Sequence, residues 1–257
     1  MSAELRVAYE RPYPISDLPV SEHETMPFKR RDVYDAQGQS AVHLVTSLSS
    51  LLGIEVGSIL DFPCGHGRIM RAFRAAFPDA RLVACDLDER GVSFCAETFG
   101  AVPVLSSVDL ATVDIGSKVD IVWIGSLLTH VDPEGWNAVF DFAERSVRDG
   151  GLIVATYAGA FVAEMFRAGD YRFADPDEAE RALSEYDATG FGFMQYNTHD
   201  RRYGQTVTSY EWASRFVAGR AVLRPVVHFE RGWAARQTVI AAVREPAFAG
   251  TRTPRAG

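Results

Sequence analysis

The sequence predicts an α/β protein on a doubly wound, mostly parallel sheet whose last strand runs antiparallel. Two observations predict it. Between residues 57 and 157, short apolar runs alternate with stretches of helical period. Each run then needs a crossover to reach the next, and crossovers make neighbouring strands parallel. Near the end, "AVLRPVVHFE" (221–230) and "RQTVIAAVR" (236–244) stand only a few residues apart. That gap is too short for a crossover, so this pair is antiparallel.

Each element has its own signal. From Ala41, apolar residues at 41, 44, 45, 48, 51 and 52 share one helical face, and Gly53 ends the run. "GSILDF" (57–62) is a short buried strand, and the helix after it aligns Ile69, Met70, Phe73, Ala76 and Phe77. "RLVACD" (81–86) is the second strand, followed by a helix carrying Val92, Cys95, Ala96 and Phe99. "VPVL" (102–105) and "DIVWIG" (120–125) are the third and fourth. Pro133 opens a helix with Trp136, Val139, Phe140, Ala143 and Val147 inward; "DGG" (149–151) closes it, and "LIVATY" (152–157) is the fifth strand.

The rhythm then breaks. Residues 158–207 exceed a single connection and read as a helical substrate-cap insertion, with helical patterns at 161–168 and 176–185. The aromatic, glycine-bearing "YDATGFGFMQYNTHDRRYG" (186–204) follows, and a helix in "SYEWASRFVAG" (209–219) leads to the final pair. Residues 1–32 carry four prolines and read as an arm or lid; 33–257 read as one domain.

Composition narrows the class. With 47% hydrophobic and 23% charged residues the chain is ordinary for a globular domain. Its formal charge of -8 argues against a nucleic-acid surface, which needs clustered Lys and Arg. "FKRR" (28–31) reads as a solvated face. Cys64, Cys85 and Cys95 form no CxxC pair, which suits a reduced chain without structural zinc. Acids and histidines are scattered, so no metal site is expected. "MSAELRVAYERPYP" lacks the apolar centre of a signal peptide, and no uncharged run approaches the ~20 residues of a membrane helix. The expectation is a soluble, cytoplasmic protein with a small-molecule partner, no nucleic acid and no membrane; a homo-oligomer is compatible with it.

The chemistry concentrates in "DFPCGHGR" (61–68), immediately after the first strand. In doubly wound sheets ligands sit at strand ends where the strand order reverses. Gly65 and Gly67 let backbone approach a ligand closely, and the following helix offers free N–H groups. Asp61 is badly placed for phosphate and well placed to accept hydrogen bonds from an ammonium. Asp86 ends the second strand, where a carboxylate reaches a ribose hydroxyl pair, and Leu87 can lie on an adenine face.

These residues resemble the class I S-adenosylmethionine-dependent methyltransferases, whose loop reads acid-x-Gly-x-Gly-x-Gly. Here it stands as Asp61-x-Pro63-x-Gly65-x-Gly67, and this proline variant is similar to a subgroup acting on small molecules and sugars. The resemblance spans about residues 55 to 157, and the terminal antiparallel strand matches that family's seventh. It implies S-adenosyl-L-methionine as cofactor. Asp61, Pro63, Gly65, His66 and Gly67 would surround its methionine end, with Asp86 and Leu87 on the nucleoside. Asp109 would meet the adenine amino group, its other reading being a loop acid that caps a turn. Gly125, in "IGSLLTH" (124–130), would line the donor. Near the end that subgroup has Asn-His-Gln-Asp after its tryptophan, where this chain has Ala235-Arg236-Gln237-Thr238 after Trp233-Ala234.

Methyl transfer from a sulfonium is an in-line displacement, so the protein aligns the acceptor and excludes water. A hydroxyl or ammonium acceptor also needs a base, and His130, just past the fourth strand, is the leading candidate. Tyr196 and His199 in the insertion are second choices and, with Tyr34 and Tyr157, are assigned to the acceptor. Tyr9, Tyr13 and Tyr34 can close the donor site. Cys64 reads as packing, and His43 and His228 as core or edge residues. Two rivals stand beside methyl transfer to oxygen or nitrogen. One is an NAD(P)-dependent oxidoreductase, whose fingerprint wants glycine where Met70 stands. The other is a non-catalytic donor-binding scaffold.

Overall fold

The computed structural model describes residues 17–24, 31–170, 175–195 and 203–246. Helix α1 (Arg31–Leu52) leads into β1 (Ser58–Asp61), α2 (Arg68–Ala76), β2 (Arg81–Asp86), α3 (Glu89–Phe99) and β3 (Val102–Leu105). Then come β4 (Val119–Ile124), α4 (Pro133–Ser146) and β5 (Val147–Tyr157). The insertion holds α5 (Ala160–Arg167), α6 (Pro176–Thr189), β6 (Phe191–Gln195) and β7 (Gly204–Thr208). The chain closes with α7 (Tyr210–Ala218), β8 (Leu223–Trp233) and β9 (Gln237–Arg244).

Seven strands form the main sheet in the order β3-β2-β1-β4-β5-β9-β8. The first five are mutually parallel, and β9 is antiparallel to both β5 and β8. The order reverses between β1 and β4, so a crevice opens between their carboxyl ends.

Apolar helix faces cover the sheet on both sides. Val42, Val45, Met70, Phe73, Cys95 and Phe99 of α1 to α3 bury one face against Ile59, Leu82 and Trp123. Trp136, Phe140 and Phe142 of α4, with Val217 of α7, bury the other against Leu60, Val83 and Val122. A buried side chain of this size contributes about 1.5–3 kcal/mol, so these two layers fix where the strand tips stand.

Three boundaries differ from expectation. Helix α1 begins at Arg31 rather than Ala41, because its first turns bury only Tyr34 and Gly38 beneath polar neighbours and show no apolar stripe. Helix α4 stops at Ser146, and β5 already begins at Val147, running on through "DGG" with Gly150 at φ 74°. The glycines bend a strand there instead of closing a helix. The insertion is also not purely helical: its glycine-bearing stretch supplies β6, which pairs antiparallel with β7 at and just beyond the end of that stretch, and the pair packs with α5 and α6 around Val162, Phe166, Ala182, Met194 and Val207.

Candidate functional site

The crevice at the strand tips holds a cavity of about 240 Å³. Pro63, Gly65, His66 and Arg68 line it from the loop after β1, Asp86 from β2, and Gly125, Ser126 and His130 from beyond β4. Glu24, Tyr203 and Trp233 complete the wall. A larger groove of about 520 Å³ lies between α1 and β8, lined by residues such as His43, Leu44, Val227 and Phe229 and without a carboxylate.

The glycine loop is shaped by what backs it. Gly65 and Gly67 take φ of +51° and +82°. A Cβ on Gly67 would stand 2.7 Å from Phe99 and 2.9 Å from the Cys95 sulfur, so side-chain bulk is excluded as well as the conformation. Gly91 of α3 presses from behind: a Cβ there would meet the Gly65 carbonyl oxygen at 2.4 Å. Asp86 ties the loop to β2, accepting from the Gly65 N–H at 2.7 Å and from the Asp88 N–H at 2.9 Å. Each of its oxygens keeps acceptor capacity for a ligand hydroxyl.

His66 is held at both ring nitrogens. Its Nε2–H donates to Asp88 at 3.2 Å, and the Ser21 hydroxyl donates to Nδ1 at 2.9 Å. Arg71 donates to the Leu18 carbonyl at 2.9 Å, so residues 17–24 are fastened beside the loop and bring Glu24 to the cavity wall.

Asp61 is the electrostatic anomaly. It is 1% exposed, and neither carboxylate oxygen has a hydrogen-bond partner. Burial, then the charge of Asp86, pushes its pKa well above the usual carboxylate range; the Arg68 charge and the Met70 amide offset only part of that. It is not among the residues lining the cavity and stands beside Trp123 across the β1–β4 register. Trp123 lines the cavity, and its own indole N–H is buried without an acceptor. Buried polar groups without partners are uncommon and costly. A ligand ammonium reaching Asp61 would remove that cost, which is how these residues fit the expected donor.

His130 has its tautomer fixed by the backbone. A carbonyl only accepts, so the 2.9 Å contact with the Gly204 carbonyl fixes the proton on Nδ1, and in the neutral ring Nε2 carries the lone pair. Burial lowers its pKa, with the Gly204 bond a partial offset, so the ring is neutral at pH 7. The Gly204 N–H returns a bond to the His130 carbonyl at 2.8 Å, and Tyr203 stacks on the imidazole with centroids 5.1 Å apart. Thr206 donates to the Leu128 carbonyl at 2.8 Å, so the hairpin of the insertion and the segment after β4 form one unit.

Ser126 is fixed by a closed ring of bonds. Its N–H donates to Thr156 at 2.8 Å, the Thr156 hydroxyl donates to the Gln237 side-chain oxygen at 2.6 Å, and the Gln237 amide nitrogen donates back to the Ser126 hydroxyl at 2.7 Å. Gln237 thus reaches across β5 to hold Ser126.

Other assigned residues fall elsewhere. Leu87 is 60% exposed at the end of β2, outside the cavity wall. Asp109 is exposed too, and its carboxylate accepts from the Ala111 N–H at 3.1 Å, which makes it the cap of a 3-10 turn. Tyr34 does not face the cavity; its hydroxyl donates to Glu24 at 2.7 Å and thereby steadies a wall residue. Tyr157 is fully buried against Trp136 with its hydroxyl bonded to His228, because an inward residue at the end of β5 meets the α4 layer rather than the crevice. Tyr9, Tyr13, Tyr196 and His199 lie outside the described residues. Cys64 is buried with its thiol pKa raised, in keeping with packing. Among the described residues no group of three His, Cys, Asp or Glu is placed to hold a metal ion, and no helix is long and apolar enough to cross a membrane.

Sequence reasoning gave no site role to Glu24, Arg68 and Trp233, which line the cavity, and placed Tyr203 only among the insertion's aromatics that could wall an acceptor pocket. Arg68 stood in the quoted motif without a role, and nothing local marks Glu24 or Trp233.

Residues 60–153 match the family of the methyltransferase domain. No curated protein matches the chain at a significant level. Among solved structures, it is similar to an S-adenosylmethionine-dependent methyltransferase from Clostridium acetobutylicum, at 14% identity over 85% of this chain and 95% of that one, TM-score 0.56. The 1,6-didemethyltoxoflavin-N1-methyltransferase of Burkholderia thailandensis, solved with its substrate and S-adenosylhomocysteine, is similar at 16% identity over 84% and 82%, TM-score 0.54. The N-methyltransferase NodS of Bradyrhizobium japonicum, solved with S-adenosylhomocysteine, is similar at 15% identity over 87% and 94%, TM-score 0.52. At such identities the structural likeness establishes the fold. Residues 60–153 thus match a methyltransferase domain, and the chain as a whole shares the fold of S-adenosylmethionine-dependent methyltransferases.

Proposed function

Starting from a chain whose residues 60–153 match a methyltransferase domain, we infer that it moves the methyl group of S-adenosyl-L-methionine to an oxygen or nitrogen of a small natural-product or sugar-type acceptor. The observation that carries this reading is the partnerless, buried Asp61 at the end of β1, with a cavity walled by the glycine loop and Asp86. The similarity to a 1,6-didemethyltoxoflavin-N1-methyltransferase and to the N-methyltransferase NodS supports this acceptor class.

The donor supplies a methyl group already activated on a sulfonium. Asp61 accepts from the ammonium end, and Gly65 and Gly67 admit backbone contact along the chain. Asp86 offers its remaining lone pairs to the ribose hydroxyls, with Leu87 and Asp109 bordering the adenine side. Leu127 and Tyr203 close the cavity near His130 and exclude water. His130 Nε2 takes the acceptor's proton as the nucleophile attacks. Residues 1–32 act as an arm and 158–207 as the cap over the acceptor.

The test has two parts. Calorimetry should show binding of S-adenosylhomocysteine and none of NAD; the opposite result returns the oxidoreductase reading. With labelled methyl transfer into a metabolite extract as the assay, His130→Ala should lower turnover by about 10²–10⁴-fold, with S-adenosylhomocysteine affinity nearly kept. Because burial lowers the His130 pKa from 6.5, the acid limb of the wild-type pH–rate profile should lie below that value and vanish in the variant. Unchanged turnover removes His130 as the base.

A further inference from the structure

We propose that Ser126 donates a hydrogen bond to the acceptor beside the atom being methylated, so that the acceptor is a molecule with two neighbouring polar atoms, such as a vicinal diol, an amino alcohol or a catechol. This rests on the methyltransferase reading above and deepens it by naming the acceptor's class.

Ser126 holds a conformation that its local role does not explain. Its φ is 63°, in the left-handed region that favours glycine, immediately before the 3-10 turn Leu127–Thr129. A serine in that place ordinarily caps the turn with its hydroxyl, yet this side chain makes no cap bond. Glycine would ease the backbone and lose nothing from the cap. Residues kept in such conformations gather at functional sites, and Ser126 lines the cavity together with His130.

The polarity of the hydroxyl follows from its partners. The Ser126 N–H donates to the Thr156 hydroxyl at 2.8 Å, and that hydroxyl donates to the Gln237 side-chain oxygen at 2.6 Å. An amide so engaged faces Ser126 with its nitrogen, which only donates, at 2.7 Å. Turning the amide over would strand the hydroxyl hydrogen of Thr156, which is 0% exposed. Ser126 Oγ therefore accepts from Gln237, and among the described residues its own hydrogen has no acceptor. That hydrogen is left for a ligand.

The turn ties this donor to His130. The His130 N–H donates to the Leu127 carbonyl at 3.0 Å, and the Thr129 hydroxyl donates to the Ser126 carbonyl at 2.5 Å. Ser126 and the base of the reading above thus stand on one fixed piece of backbone. An acceptor that answers both has a proton to give at the atom methylated and a lone pair on a neighbouring polar atom. In the transfer, the proton passes to His130 Nε2 and the nucleophile's electron pair forms the new bond to the methyl carbon. The pair of the carbon–sulfur bond stays on sulfur. The Ser126 hydrogen bond orients the acceptor and takes no part in this exchange.

The experiment uses defined competitors of labelled methyl transfer into a metabolite extract. Catechol is compared with phenol, and 1,2-cyclohexanediol with cyclohexanol. With wild type, the member of each pair bearing two neighbouring oxygens should inhibit about tenfold more strongly. Ser126→Ala should bring both pairs within about threefold, with S-adenosylhomocysteine affinity by calorimetry also changed by less than about threefold. Ser126→Gly, which eases the backbone, should behave alike and decides the matter if the Ala variant does not fold by its melting curve. Gln237→Glu tests the polarity: a carboxylate accepts from Thr156 and Ser126 alike, so both contacts persist while the Ser126 hydrogen turns away from the cavity. It too should bring the pairs together, which a merely structural role for Gln237 would not do. Equal inhibition within the pairs for wild type, or no inhibition, overturns the proposal and leaves the methyltransferase reading intact. So does an undiminished preference in the Ser126 variants, or an S-adenosylhomocysteine loss above about tenfold, which would assign the hydroxyl to the donor. Failure of wild type to bind S-adenosylhomocysteine or transfer label overturns both.

Discussion

Asp61 and Asp109 were assigned to opposite ends of one ligand, and the structure puts them in opposite circumstances. Asp61 is buried with both oxygens unbonded. Asp109 is exposed and already caps a turn, and Leu105 and Val108 shortly before it in the chain are 57% and 84% exposed. On the proposed donor reading, the amino-acid end is therefore enclosed and electrostatically incomplete, whereas the adenine end is open and complete in itself. A satisfied carboxylate gains little from a ligand, and an orphaned one gains the whole cost of its isolation. Most of the binding specificity should come from the enclosed end and from Asp86 at the middle.

Asp86→Ala tests the middle and should have the largest effect. It deletes two internal bonds, one from the Gly65 N–H of the glycine loop and one from the Asp88 N–H, and the acceptor proposed for the ribose, so S-adenosylhomocysteine binding should weaken by about a hundredfold or more. 5′-Methylthioadenosine, which lacks the amino acid, should lose as much. A loss limited to the amino-acid-bearing ligand would move Asp86 to the wrong end.

Asp61→Asn should separate binding from stability. S-Adenosylhomocysteine should bind about tenfold to a hundredfold more weakly and 5′-methylthioadenosine about as before. The ligand-free protein should become more stable at pH 7, by about 1–3 kcal/mol. The sign follows from the raised pKa: folding favours the protonated acid, so ionised Asp61 subtracts stability above its folded pKa. The gap between wild type and variant should therefore close as pH falls through that value. Thermal unfolding across pH checks it, and a lower melting temperature for the Asn variant at pH 7 contradicts an orphaned charge.

The same contrast explains what the sequence made legible. Strand tips were readable because a buried strand must end where its apolar run ends, so Asp61 and Asp86 could be placed from "SILD" and "RLVACD" alone. His130 was readable as a polar residue just past β4. The partners that come from distant segments were not: Glu24 and Trp233 reach the cavity only after α1 and β8 have packed, and nothing in their neighbours shows it. Tyr157 failed for the complementary reason. It stands at a strand end like the others, but alternation turns it toward Trp136 and His228. The hairpin β6–β7 hid inside an aromatic stretch whose period was too short to distinguish strand from loop.

Asp109→Ala should have the smallest effect. The substitution removes a single cap bond to Ala111 on an exposed turn, worth about 0.5–1 kcal/mol of stability at most. An adenine amino group meeting Asp109 would do so in water, where a neutral donor bonding to a solvated carboxylate exchanges one partner for another. S-Adenosylhomocysteine affinity should consequently fall by less than about threefold. A loss above about tenfold, seen equally with 5′-methylthioadenosine, would mean that the open end closes over the base when ligand arrives. The exposed side chains of Leu87, Leu105 and Val108 would then be the surface it closes on, and the difference between the two ends would belong to the empty protein alone.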